Sequence, residues 1–144
     1  MVHEITIDTC AINAKGQILA MNIIEKLNET EKIQMFTTDS MEEELTPGSV
    51  QWAKKTNYIE AMKKPDLHNY PLRFGQIKDA VFPTVSVLSQ NQERDIHHLT
   101  THLKYLHDFF LTYDKAILRA KEALAKLQIK VMTPEEYVKI HANP

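Results

Sequence analysis

The sequence predicts a three-layer α/β/α fold, with helices on both faces of a small central parallel sheet. Two strand–helix–strand units, at about 4–37 and 109–132, carry that expectation. A crossover long enough to hold a helix returns the chain to its starting edge, so the flanking strands pair in parallel. The length of 144 residues suits one domain, and a chain of that size buries roughly two-thirds of its unfolded surface without disulfide or metal staples. Hydrophobic residues at 43% and charged residues at 25% are ordinary globular usage.

Each element has a local reason. Ile5, Thr6 and Ile7 form a β-branched run, so 4–8 reads as a strand ending on Asp8. Asn13 and Gly16 mark a turn, after which Ile18, Leu19, Met21, Ile23, Ile24 and Leu27 recur at helical spacing over about 17–29. A second strand covers 33–37. Asp39 or Ser40 can cap a helix carrying Met41 and Leu45, with Glu42, Glu43 and Glu44 in its first turns, where acids suit the helix dipole. Thr46 and Pro47 can open another helix, from which Trp52, Tyr58, Ile59 and Met62 would face inward. Pro65, Pro71 and Pro83 then divide 64–92 into short pieces, with one helix around 72–80. The region 46–92 is thus expected to be a helical middle segment of a single domain spanning 1–144.

Regularity returns afterwards. Ile96, Leu99, Leu103 and Leu106 line one face of a helix over 95–107, and 109–112 is a short apolar strand. Alanine, leucine and lysine favour a single helix over 115–128, followed by a strand at 129–132. Thr133, Pro134, Glu135 and Glu136 make a capping box with proline at the first helical position, opening a last helix with Tyr137, Val138 and Ile140.

Composition excludes several functions. Only three glycines (Gly16, Gly48, Gly75) are present, which rules out a P-loop or a GxGxxG fingerprint, since both cluster glycines where backbone meets phosphate. A single cysteine, Cys10, excludes a disulfide framework and a multi-cysteine zinc site. Beside Asp8 its thiol reads as a buried filler rather than a nucleophile, because a nearby carboxylate disfavours the thiolate. The formal net charge of -2 gives no nucleic-acid signal. No apolar run approaches the ~18 residues of a membrane span, and the N-terminus lacks a basic region followed by an apolar core. A cytoplasmic protein with no membrane partner is the expectation.

Ligands of open parallel sheets bind beyond the carboxyl ends of the strands. Asp8 ends the first strand and Asp114 lies just beyond the 109–112 strand, so two central strands would deliver both carboxylates to one edge. Glu44, early in the helix after the second strand, and Asp95, opening the helix before the 109–112 strand, can join them. Four acids gathered there would repel unless protonated or paired, and a divalent cation removes the conflict. Mg²⁺ and Mn²⁺ prefer oxygen donors, and such ions polarise phosphoryl groups and activate water near neutral pH. Each acid also has a plainer reading: Asp8 as a turn residue, Glu42–Glu44 as a solvated helix start, Asp95 as a helix charge, Asp114 as a cap.

Taken together these segments resemble the PIN domain, a small α/β metal-dependent nuclease fold of VapC-like toxins and RNA-processing proteins. Ile7-Asp8-Thr9 looks like its strand-ending Asp-Thr, and Glu44-Leu45 like its second acidic position. Asp95-Ile96-His97-His98-Leu99 is similar to the motif of its third acid. Phe110-Leu111-Thr112-Tyr113-Asp114 looks like its Thr-x-Asp motif, and Val131 to Tyr137 like its closing strand and Thr-Pro-Glu helix start. The resemblance covers about 4–45 and 93–138. It implies an endoribonuclease cutting single-stranded RNA, with Asp8, Glu44, Asp95 and Asp114 holding Mg²⁺ or Mn²⁺ and activating water, and with Thr112, joined by Thr9, orienting a carboxylate. Toxins of this kind pair with a small antitoxin protein, and members often form homodimers. A catalytically silent module that binds RNA or protein is the alternative. The sequence departs from the pattern at Ala116, where some members carry another acid, and at Thr101 or His102, where a small residue is usual; Glu43 replaces Glu44 if the helix phase shifts by one.

Two rival signals remain. His98 and His102 are four apart on a helix and could share a transition metal, although surface or partly buried roles are the plainer expectation for His97, His98, His102 and His107. Lys54, Lys55, Lys63, Lys64, Arg73 and Lys78, interleaved with Trp52, Tyr58, Tyr70 and Phe74, suggest where RNA could run.

Overall fold

Strand β1 (His3–Ile7) lies at the centre of the sheet, with Ile5 and Ile7 on one face and Glu4 and Thr6 on the other. In the computed structural model, which describes residues 2–8, 19–38, 59–62 and 71–142, it is followed by helix α1 (Leu19–Glu29), β2 (Ile33–Thr38) and β3 (Ile59–Met62). Helices α2 (Pro71–Val81) and α3 (Gln90–Lys104) lead to β4 (Phe109–Leu111). Two short helices, α4 (Lys115–Arg119) and α5 (Lys121–Lys126), precede β5 (Val131–Met132). Helix α6 (Pro134–Tyr137) runs into a π-helical turn, Val138–Ala142.

The five strands are all parallel, in the order β3-β2-β1-β4-β5. The chain therefore builds outward from β1 to β3 on one side, then returns to build β4 and β5 on the other. Strand alternation divides the core into two clusters. Ile5, Ile7, Met35, Phe109, Leu111 and Met132 pack against α1 and Tyr137 of α6. Phe110 and Val131 pack instead with Ile77, Ile96, Leu99, Ile117 and Leu124 from α2 to α5. Helices on both faces of a small parallel sheet are what the sequence predicted.

Helix starts follow the predicted chemistry where a cap was legible. Thr133 and Glu136 form the expected capping box with Pro134 in the first turn. Ser89 and Gln92 form another, which starts α3 five residues earlier than the pattern beginning at Asp95 suggested. Helix stops are less usual. After α1, α3 and α5, the C-terminal pair of backbone bonds closes a Schellman-type turn: Lys32 N–H to Leu27 C=O, His107 to His102 and Ile129 to Leu124. The residue that turns left-handed is glycine in none of them, but Glu31 (φ 61°), Leu106 (φ 55°) and Gln128 (φ 68°). A Cβ in that region is strained, so Glu31→Gly and Gln128→Gly are each expected to raise stability by about 0.5–1 kcal/mol in urea unfolding. Unchanged or lowered midpoints would refute this.

Three expectations need correction. Residues 59–62 form β3, hydrogen-bonded in parallel beside β2, rather than the inward face of a helix. The helix predicted over 115–128 is two helices, because the chain bends at Ala120, which ends α4 and caps α5 without a side-chain bond. The last strand is shorter than predicted, two residues instead of four. The helix expected after Asp39 lies outside the described residues.

Candidate functional site

The strand order reverses direction at the β1/β4 boundary, the switch point where open parallel sheets place their ligands. Register fixes which side chains meet there. Ile5 pairs with Phe109, Thr6 with Phe110 and Ile7 with Leu111, so Asp8 and Thr112 follow as the next opposed positions. The ladder extends past the strand ends through Asp8 N–H to Leu111 C=O (2.9 Å) and Thr112 N–H to Met132 C=O (3.0 Å). Both side chains therefore point to the α2–α5 face. The Thr112 hydroxyl donates to Asp8 Oδ2 at 2.6 Å, and its oxygen accepts the Asp114 N–H at 2.9 Å. Asp8 is 4% exposed and Thr112 fully buried, so this is a charge-assisted bond shielded from water.

Asp114 follows two residues beyond Thr112, half-buried, and its Oδ1 caps α4 by accepting the Ile117 N–H at 3.0 Å. Tyr113, between Thr112 and Asp114, packs against the opposite core cluster and donates to Glu135 Oε1 at 2.6 Å. The loop that carries Thr112 and Asp114 is thus tied down on both faces. Asp95 does not open α3; it sits half-buried inside that helix. Glu43, Glu44, Thr9 and Cys10 lie outside the described residues, as do Trp52, Lys54, Lys55, Tyr58, Lys63, Lys64 and Tyr70. Of the basic middle segment, Arg73 is exposed on α2, and Lys78 is half-buried beside Asp79 (3.7 Å).

Oxygen donors of the Asp8 and Asp114 kind suit a hard divalent cation. Among the described residues, however, no group of three or more His, Cys, Asp or Glu side chains could hold a metal ion. Asp8, Asp95 and Asp114 by themselves are therefore not a complete cage.

The histidines depart most from expectation. His98, His102 and His107 are buried, neither at the surface nor only partly buried. His102 Nδ1 lies 2.7 Å from the Thr6 hydroxyl, and His107 Nδ1 lies 3.1 Å from the same oxygen. His107 stacks on Phe36 (4.2 Å between centroids, 29° apart) and places Nε2 at 3.4 Å from Glu4 Oε2. Burial, reinforced by the charge of His107, pushes the His102 pKa down to about 3. Burial also lowers that of His107, with Asp108 opposing. Glu4, Thr6 and Asp8 thus form a polar row along one face of the central strand. Its signal was visible as alternation with Ile5 and Ile7, but its partners were not.

A separate open groove of about 450 Å³ is lined by Phe74, Gly75, Lys78, Ser86, Val87, Leu88 and Glu93, and shares no residue with the Asp8–Thr112–Asp114 cluster. Among the described residues no helix is long and apolar enough to cross a membrane. In comparisons with known proteins, no family model and no curated protein matches the chain.

Proposed function

We propose that the chain is a PIN-like metal-dependent endoribonuclease that hydrolyses phosphodiester bonds of single-stranded RNA. The observation that carries this reading is the buried Asp8–Thr112 bond at the switch point, with Asp114 directly beyond it. Thr112 fixes the rotamer of Asp8, and the same hydroxyl oxygen holds the backbone of Asp114. The two carboxylates are therefore oriented before substrate arrives, which is what preorganised electrostatic stabilisation requires. Asp8 and Asp114 would hold Mg²⁺ or Mn²⁺ together with Asp95 and Glu44. The ion would neutralise phosphate charge and lower the pKa of a nearby water. RNA is the substrate of this reading; a cytoplasmic setting, a small antitoxin partner and a homodimer go with it.

The test is cleavage of labelled single-stranded RNA with and without Mn²⁺, beside Asp8→Asn and Asp114→Asn. Metal-dependent cutting by the parent and at least a hundredfold loss in both variants is expected. Equal activity in all three overturns the reading. The use of Asp114 Oδ1 to cap α4 through the Ile117 N–H favours a second reading, a silent PIN-like module that binds RNA or protein. Tight RNA binding in EDTA without cleavage would select it.

A further inference from the structure

The row Glu4, Thr6, His107 and His102 contains more information than its burial. A threonine hydroxyl has one proton to donate, yet Thr6 Oγ1 faces two imidazole nitrogens, His102 Nδ1 at 2.7 Å and His107 Nδ1 at 3.1 Å. Its oxygen could accept from both rings, but the buried O–H would then have no acceptor, since the two nitrogens are its only side-chain partners among the described residues. With that proton used, one nitrogen accepts from the hydroxyl and the other donates to it. If Thr6 donated to His102, His107 would carry its proton on Nδ1, and a neutral ring would turn the lone pair of Nε2 toward the Glu4 carboxylate at 3.4 Å. His102 would also carry a proton on Nε2, an atom that is buried and has no hydrogen-bond partner among the described residues. A buried donor without an acceptor is the costlier defect. In the opposite direction every proton has a matching partner: His102 Nδ1–H donates to Thr6, Thr6 O–H donates to His107 Nδ1, and His107 Nε2–H faces the Glu4 carboxylate in an ion-pair contact at 3.4 Å. Only a lone pair on His102 Nε2 is then left over.

We propose that these four residues form a one-way hydrogen-bond chain, which transmits the charge state at Glu4 and His107 to the tautomer of buried His102 and makes the strand ending at Asp8 responsive to acid. Glu4 is half exposed and supplies the outer end. The groups that face His107 are Glu4 of β1, Phe36 of β2, His102 and Tyr105 at the end of α3, and the adjoining Asp108. Lys104 lies over the Tyr105 ring at 5.7 Å, and Phe110 of β4 meets His102 edge to face at 5.5 Å. When acid adds a proton to His107 Nδ1, the Thr6 hydroxyl loses its acceptor. It must then reverse toward His102, whose own proton moves to the Nε2 side, or turn away from both rings. Either outcome mismatches a buried donor, so the two histidines respond together.

Long-range ¹H–¹⁵N correlation on the full chain at pH 7.5 reads the tautomers directly. His102 is expected as the Nδ1–H form and His107 as the Nε2–H form, with both rings changing at one shared midpoint as the pH is lowered. Glu4→Gln, a substitution at a half-exposed position, removes the charge that sets the direction. It is expected to mix the tautomers of His107 and also of His102, which Glu4 is not bonded to. Thr6→Ser keeps the hydroxyl and should keep both tautomers. An Nε2–H form of His102 in the parent, separate midpoints for the two rings, or a His102 ring unaffected by Glu4→Gln would each overturn the proposal. None of these readouts depends on nuclease activity, so failure here and failure of the ribonuclease reading are distinguishable.

Discussion

Thr112→Val is expected to cost about 2–4 kcal/mol of stability and to abolish the metal-dependent RNA cleavage proposed above. Valine matches threonine in volume and β-branching, so the strand end and the packing are retained and only the hydroxyl is removed. That hydroxyl serves two bonds at once, donating to Asp8 Oδ2 and accepting from the Asp114 N–H. Removing it takes a donor from a carboxylate that is 4% exposed, and water cannot replace the donor freely at that depth. Thr112→Ser keeps the hydroxyl and loses a methyl group, an expected cost of about 1 kcal/mol. Urea unfolding of the two variants separates the effects. If valine proves no more destabilising than serine, the bond to Asp8 contributes nothing to the fold. If Thr112→Val folds and cleaves like the parent, Asp8 does not need that orientation.

Stability is expected to fall steeply as pH drops below about 6.5. The sign follows from proton binding. His102 titrates near 3 in the folded protein and His107 below its ordinary value, whereas both titrate near 6.5 when unfolded. Between those limits the unfolded chain binds more protons, so stability is complete above 6.5 and is lost as pH falls. For His102 alone, two pH units below 6.5 correspond to about 3 kcal/mol, a large share of the roughly 5–15 kcal/mol that holds a domain together. His141 shifts in the same direction, from burial and from the charges of His3 and Lys130, but it is exposed and screened by solvent. Glu136, held low by its bonds to Lys121 and Thr133, adds its effect only below about pH 4.5. Urea unfolding at pH 7.5, 6.0 and 4.5 measures the slope. A flat profile from 7.5 to 5 would show that His102 and His107 are not neutral in the folded chain.

Much of the fold was legible because local and tertiary preferences agree. Ile5-Thr6-Ile7 and Phe109-Phe110-Leu111 are strands by composition, and they are central strands in the structure. β3 was missed because Ile59-Glu60-Ala61-Met62 has apolar residues three apart, a helical spacing, and its strand conformation comes from the ladder with β2. The break at Ala120 was hidden by the best helix former of all. At the site, Asp8, Thr112 and Asp114 could be named as strand-end residues, but their hydrogen bonds depend on β1/β4 register, which no local pattern encodes. The histidines show the same limit from the other side. His102 reads as half of a candidate metal pair with His98, or as a surface or partly buried ring, until Thr6, 96 positions away in sequence, is seen beside it.

The polar row on β1 also governs how the sheet assembles. Glu4, Thr6 and Asp8 face one way while Ile5 and Ile7 enter the core on the other. A slip of one residue would drive Thr6 and Asp8 into that core and turn both isoleucines toward the histidines. A slip of two would restore the alternation but set Asp8 or Glu4 where Thr6 must stand between two imidazoles, and would take Asp8 away from Thr112. Only one register answers every partner. The acid that the proposed chemistry needs therefore also acts as an address label, read when β1 docks between β2 and β4, and a chain that has paired those strands wrongly cannot form the site.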